Sequence, residues 1–139
     1  MKRLKLVFLG TIYILTACGN NLEMDSLRST FQGELIGLNG ENNTYTWKGI
    51  PFATPPVDDL RWKATQEAKP WNGRLEATEF RQACFQKGSV FENSESQWSG
   101  SEDCLYLNIW TPNLSKEQIE QSSDQLPVMM WIHGGANVV

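Results

Sequence analysis

Apolar and polar residues alternate in the first half of the chain in a way that predicts a β-hairpin. The strand-like runs Phe31–Leu38 and Thr44–Ile50 flank an Asn39-Gly40 pair, which is a strong hairpin signal between two such runs. The polar residues 41–43 lengthen the loop. We therefore expect two antiparallel strands joined by more than a tight turn.

A proline-rich segment separates this hairpin from the later strands. Pro51, Pro55 and Pro56 forbid regular structure across residues 51–59, since proline fixes φ and lacks a backbone donor. Residues 60–100 contain few long apolar stretches and are expected to be irregular, with one turn of helix at Ala77–Ala83.

A further strand is predicted at Cys104–Trp110, where Leu105, Leu107 and Ile109 share one face. Pro112 stops it, and the polar stretch Asn113–Gln125 is expected to be a solvated connection.

The last predicted strand, Leu126–Ile132, is continuously apolar rather than alternating. A strand without a polar face must be covered on both sides, as in the middle of an α/β sheet. His133-Gly134-Gly135 follows at once, and function in such sheets collects where strands end.

The N-terminus has the pattern of an export signal. Three basic residues precede an apolar run, Leu6–Leu15, which is too short to span a membrane and suits a signal peptide. The run ends in Leu15-Thr16-Ala17-Cys18, which resembles the lipobox of bacterial lipoproteins; an ordinary secretory signal with an incidental cysteine is the alternative. We expect a signal peptide at 1–17, a tether at 18–28 after a lipidated Cys18, and an incomplete domain at 29–139.

This organisation predicts a lipid anchor in the bacterial cell envelope. Gly19, rather than an acidic residue, follows Cys18, which favours an outer membrane facing the periplasm if the host has two membranes. The several acyl chains of such lipoproteins would anchor the protein durably.

Charge and composition exclude other classes of function. The formal charge of −4 becomes about −7 once the three basic leader residues are removed, and no basic cluster remains to hold nucleic acid. A single histidine and no CxxC pair argue against a metal site, and no cofactor is expected. In an exported protein, Cys84 and Cys104 are interpreted first as a disulfide.

Four sequence blocks together resemble the type-B carboxylesterases, the family that includes the cholinesterases. The third block is the most specific, and the resemblance covers residues 33–136. The blocks are Trp47–Ala53 with Pro55-Pro56 and Leu60-Arg61; Pro70–Gly73 with Ala77-Thr78 and Cys84; Ser101–Trp110; and Pro127–Ala136.

The resemblance implies a fold and roles for matched residues. It implies the N-terminal part of an α/β-hydrolase fold, comprising the hairpin and the first strands of a mostly parallel central sheet. Cys84 and Cys104 would form a disulfide that closes an Ω-loop, and Arg61 and Glu102 would form an ion pair at its base. The alternative for Glu102 is a solvated acid at a strand edge.

The same resemblance places an oxyanion hole in the loop His133-Gly134-Gly135-Ala136. The backbone N–H groups of Gly135 and Ala136 would face the developing charge on an ester oxygen. His133 is the only histidine, but its motif position implies that it shapes the loop, because the family's base follows the serine. Asn137 stands where the family commonly has an aromatic residue.

No G-x-S-x-G sequence occurs, so the nucleophile, the acid and the base are all missing. We expect a small-molecule carboxylic-ester hydrolase in full-length form and an inactive, unstable or aggregating fragment; the oligomeric state stays open. The alternatives are a non-catalytic, cholinesterase-like binding or adhesion domain, and a decayed gene product. Phe85, Phe91 and Trp98 would line a gorge mouth or simply pack within the loop.

Overall fold

The computed structural model describes residues 22–87, 98–123 and 125–134, which form three small sheets, one short α-helix and two 3-10 turns, Met24–Ser26 and Asp58–Leu60. The first sheet has the order β1-β2-β5, the second β3-β4-β8, and the third contains β6 and β7. The strands are β1 Arg28–Ser29, β2 Glu34–Ile36, β3 Leu38–Asn39, β4 Thr44–Pro51, β5 Arg74–Glu76, β6 Gln86–Lys87, β7 Trp98–Ser99 and β8 Tyr106–Pro112, and the helix α1 is Lys116–Gln121.

The predicted hairpin is present as the antiparallel pair β3 and β4, with Leu38 opposite Thr46 and Asn39 opposite Tyr45. Its first strand is not the continuous Phe31–Leu38 that was expected, because Glu34–Ile36 forms β2 and pairs with β1 and β5 in the first sheet. The lengthened loop is also confirmed. Its left-handed positions are Asn42, at φ 55°, and Asn43, at φ 56°, rather than Gly40. Asparagine tolerates this conformation better than most residues, so the loop turns without a glycine there.

β4 is the central strand of the second sheet and carries most of the core. It pairs with β8 in antiparallel register, and a bulge interrupts that register between Trp47 and Ile50. Gly49 occupies the bulge at φ 71°, and its N–H donates to Asn108 Oδ1 at 2.8 Å. The Asn108 side chain thus satisfies a donor that the irregular ladder leaves unpaired.

The core lies where the first two sheets meet. It contains Leu35, Tyr45, Trp47, Ile50 and Ala77, with Trp71 and Leu75 packed against it. The Trp47 indole N–H donates to the carbonyl of Ser26 at 3.0 Å, so the largest core side chain also has its polar atom satisfied.

Part of the tether expected at residues 18–28 has defined structure. Met24–Ser26 forms a 3-10 turn, and Ser26 is fully buried. Its hydroxyl donates to Glu23 O at 2.6 Å and accepts from Gly37 N at 2.8 Å. Residues 23–28 therefore contact the sheet through Ser26 instead of forming a polar tether, because the Ser26 hydroxyl has both of its hydrogen bonds satisfied when it is buried.

The helical turn expected at Ala77–Ala83 is wrong. The N–H of Ala77 donates to Ile36 O and its carbonyl accepts from Lys48 N, both at 2.8 Å. These backbone groups link two sheets, so they are not free for helical bonds.

The polar connection after β8 contains a helix that the sequence reading missed. α1 begins with a capping box, in which Ser115 Oγ accepts from Gln118 N and the Gln118 side chain accepts from Ser115 N. All residues of the helix are exposed, so capping rather than burial defines it.

The strand expected at Leu126–Ile132 is also wrong. The run is exposed and has no regular structure, and among the described residues no backbone hydrogen bond joins it to another segment. A fully apolar strand depends on neighbouring strands and covering layers, and no described segment provides them.

Candidate active-site loops

The described part of the predicted oxyanion loop comprises His133 and Gly134, both of them exposed. His133 Nδ1 lies 2.8 Å from the carbonyl oxygen of Gly134 and donates to it when the proton is on Nδ1. Within the described part of the chain, no residue other than its sequence neighbours has an atom within 4 Å of the position that a Cβ on Gly134 would take. Gly135 and Ala136, the expected amide donors, lie outside the described residues, as does Cys18.

Cys84 and Cys104 form the expected disulfide, with their Cα atoms 4.9 Å apart and a sequence separation of 20. Two backbone hydrogen bonds join the same two segments: Ser101 N donates to Ala83 O at 2.8 Å, and Phe85 N donates to Ser101 O at 3.1 Å. We call this arrangement the loop base, defined by residues 83–85 and 101–104. It joins the two ends of the loop by one covalent bond and a short parallel bridge.

Gly100 permits that close approach. It has φ 101°, and a Cβ there would lie 2.6 Å from the carbonyl oxygens of Ala83 and Cys84. Any side chain would therefore push the two ends apart.

The ion pair expected between Arg61 and Glu102 is present at the loop base, with Nη2 2.7 Å from Oε1. The two side chains are 50% and 43% exposed, so water and salt screen their attraction. The contact ties the chain just after the proline-rich segment to the loop base and contributes about 0–1 kcal/mol.

A third link at the loop base was not predicted from the sequence. Tyr106 Oη donates to Asp103 Oδ1 at 2.8 Å, and Asp103 N donates to Ser101 Oγ at 3.1 Å. Burial, followed by the bond to Asp103, raises the pKa of Tyr106, while Arg81 opposes the shift. The Asp-x-x-Tyr spacing inside the Ser101–Trp110 block was the available signal.

The aromatic side chains of the loop pack against each other. Phe85 and Trp98 stack with ring centroids 5.5 Å apart and an interplanar angle of 11°. Both rings stay exposed on their outer faces, and Phe91 lies outside the described residues. The contact fits ordinary loop packing, the simpler of the two interpretations.

Within residues 22–87, 98–123 and 125–134, no three His, Cys, Asp or Glu side chains are grouped closely enough to hold a metal ion. In the same residues, no helix has the length and apolar character needed to cross a membrane.

Comparison with known proteins gives the chain its family. A model of the carboxylesterase family matches residues 23–139. Juvenile hormone esterase of Tribolium castaneum is 46% identical over 90 residues, which are 65% of this chain and 14% of that protein. Para-nitrobenzyl esterase of Bacillus subtilis (strain 168) is 41% identical over 109 residues, which are 78% of this chain and 21% of that protein.

A solved structure of a PNB esterase superposes with a TM-score of 0.68 at 37% identity, covering 83% of this chain and 22% of its own. The matched part of the chain thus covers 14% to 22% of the length of these relatives. The solved neighbours are α/β-hydrolase esterases, which confirms the predicted N-terminal part of that fold. The chain belongs to the carboxylesterase family.

Proposed function

We propose that the protein to which this chain contributes hydrolyses small carboxylic esters, and that residues 133–136 supply part of its oxyanion hole. The observation that carries the proposal is the family match, which runs through the His133-Gly134-Gly135-Ala136 sequence. Relatives named as esterases support the same class of substrate.

The proposed reaction follows the serine esterase mechanism. A serine oxygen attacks the ester carbonyl carbon while a histidine takes its proton, and the carbonyl oxygen becomes an oxyanion that backbone N–H groups stabilise. Gly135 and Ala136 would provide two of these donors. Collapse of the intermediate releases the alcohol and leaves an acyl-enzyme, which water then hydrolyses by the same steps.

The loop base contributes positioning to this mechanism. The disulfide, the Arg61–Glu102 pair and the Tyr106–Asp103 hydrogen bond fix the start of β8 relative to the segment at residues 61 and 84. A catalytic geometry must hold to within fractions of an ångström, so several independent links at one place suit a scaffold for the site.

Removing one oxyanion donor tests the proposal. In the full-length protein, Ala136→Pro deletes the N–H and is expected to lower kcat for a p-nitrophenyl ester by about 10²–10³-fold. Ala136→Ser keeps the N–H and is the matched control. Equal loss in both variants, or no loss in the proline variant, would contradict the assignment.

A covalent probe separates this proposal from a non-catalytic binding domain. A fluorophosphonate that labels activated serines is expected to modify the full-length protein once, and not residues 18–139 alone. The 139 residues contain no G-x-S-x-G sequence and only His133, so alone they should give no ester turnover above buffer.

We also propose that the protein is exported and anchored by lipid on Cys18, as the Leu15–Cys18 sequence suggests. Labelling with a fatty-acid analogue should place lipid on the wild-type protein and not on Cys18→Ser. Equal labelling of both would remove Cys18 from the proposal.

A further inference from the structure

The chain contains two Asn-Gly pairs, Asn39-Gly40 and Asn72-Gly73, which the structure places in different environments. Asparagine followed by glycine is prone to spontaneous deamidation, because glycine has no Cβ to hinder attack by its own backbone nitrogen. We infer that Asn72 is a site of spontaneous deamidation and isomerisation, and that the fold protects Asn39.

The reaction needs only water. The deprotonated backbone nitrogen of Gly73 attacks Cγ of Asn72, a new C–N bond forms, and ammonia leaves to give a cyclic succinimide. Water then opens the ring at one of its two carbonyls. One opening gives aspartate, and the other gives isoaspartate, in which the main chain runs through the former side chain.

Asn72-Gly73 has the freedom that this reaction requires. Both residues are exposed and lie in a bend just before β5, and Gly73 adopts φ 75°. Apart from its two chain neighbours, no described residue has an atom within 4 Å of the position that a Cβ on Gly73 would take. Among the described residues, neither the Asn72 side chain nor the Gly73 N–H has a hydrogen-bond partner.

Asn39-Gly40 is equally a sequence match, and Asn39 is also exposed, so exposure does not distinguish the two. Hydrogen bonds do. Asn39 Nδ2 donates to Glu23 Oε2 at 2.6 Å, and Gly40 N donates to Thr44 O at 2.7 Å. The first bond holds the Asn39 side-chain amide, which would be attacked, and the second holds the Gly40 nitrogen, which would attack it. Asn39 is also paired with β4 as part of β3. Both bonds must open before the ring can close.

Modification at Asn72 would affect the sheet. Trp71 N donates to Gln32 O at 2.8 Å, and Trp71 Nε1 donates to Glu34 O at 2.7 Å. On the other side of the pair, Arg74 is already in register with Glu34. The bend is thus fixed at both ends. Isoaspartate lengthens the main chain between these fixed points and adds a negative charge, so it should loosen β5 from β2.

The test is a time course on the full-length protein in mildly alkaline buffer, followed by trypsin and mass spectrometry. Lys69 precedes proline and resists cleavage, so Asn72 appears in the peptide Ala64–Arg74 and Asn39 in Ser29–Lys48. We expect amide-to-acid conversion about tenfold or more faster at Asn72, since two hydrogen bonds protect Asn39. Isoaspartate and aspartate forms of Ala64–Arg74 should separate by chromatography.

Two controls make the outcome decisive. In denaturant the two sites should react at similar rates, because the protection of Asn39 comes from the fold. Asn72→Gln should abolish the product in Ala64–Arg74, and Asn39→Gln should leave it unchanged. Conversion at Asn39 as fast as at Asn72 in the native protein, a stable Asn72, or a persistent rate difference in denaturant would each overturn the inference.

Discussion

The core around Trp47 and the apolar run Leu126–Ile132 are both rich in large hydrophobic side chains, yet one is buried and the other is exposed. Trp47 is 3% exposed, whereas Met129 is 95% and Trp131 86% exposed. The difference lies in pairing: β4 has a strand on each side, and the run has none among the described residues. Hydrophobic content alone therefore does not bury a segment, and strand neighbours do.

The largest expected effect concerns the exposed run. Residues 18–139 produced alone should self-associate and show no cooperative thermal transition, because apolar surface of this extent favours association. The double variant Met129→Lys, Trp131→Lys should reduce association in light scattering. Gln82→Lys with Gln121→Lys adds the same charge at exposed polar positions and should reduce it less. A monomer that unfolds cooperatively would show that the exposed apolar run does not drive association.

Trp47→Ala tests the buried side. Deleting a large core side chain that also donates a hydrogen bond should lower the free energy of unfolding of the full-length protein by about 3–5 kcal/mol. Trp62→Ala, at a residue 95% exposed, should change it by about 0.5 kcal/mol or less. Urea denaturation measures both, and similar losses would show that burial does not set the cost.

The loop base lies between these extremes, since it is partly exposed and held by specific links. Replacing Cys84 and Cys104 with alanine should lower the free energy of unfolding by roughly 3 kcal/mol. The main reason is that the unfolded chain gains conformational entropy once two residues 20 positions apart are no longer cross-linked. The measurement is denaturation of the double variant beside the wild type with its disulfide reduced. The two should agree, and a double variant as stable as the oxidised wild type would contradict the prediction.

The ion pair should contribute less. Arg61→Ala and Glu102→Gln should each lower stability by about 0–1 kcal/mol, and the double variant by no more than their sum, because both side chains are about half exposed. In high salt, the wild type and these variants should have the same free energy of unfolding, because salt screens the attraction between the two charges. A coupling that survives high salt would show that the pair is more protected than its exposure indicates.

The smallest effect is a pH dependence at Tyr106. Its pKa is raised in the folded protein, first by burial and then by Asp103, so the folded state holds the phenol proton more tightly than the unfolded chain. That stabilisation is complete below the ordinary pKa of 10.0 and is lost as pH rises through the raised value. Tyr106→Phe should flatten the alkaline fall in unfolding free energy. Asp103→Asn, which leaves burial in place, should flatten it only in part.

Sequence pattern was informative where the signal was local. The Asn39-Gly40 pair predicted the hairpin, and specific blocks predicted the disulfide and the ion pair. The parallel pairing of β2 with β5 had no such signal, because three-residue strands are too short to show periodicity. The prediction of a strand at Leu126–Ile132 was wrong because an apolar composition shows which surroundings a strand would need, but not whether neighbouring strands are present to provide them.

The bulge at Gly49 changes which side of β4 each residue faces. In a regular strand, residues 45 and 47 would share one side and residue 50 would point to the other. One extra residue shifts this parity, so Tyr45, Trp47 and Ile50 all enter the same core. Deleting Gly49 would leave Ile50 two positions after Trp47, so a regular strand would still direct both side chains into the core. The same length of chain without a bulge would instead turn Ile50 and every later residue of β4 to the opposite face.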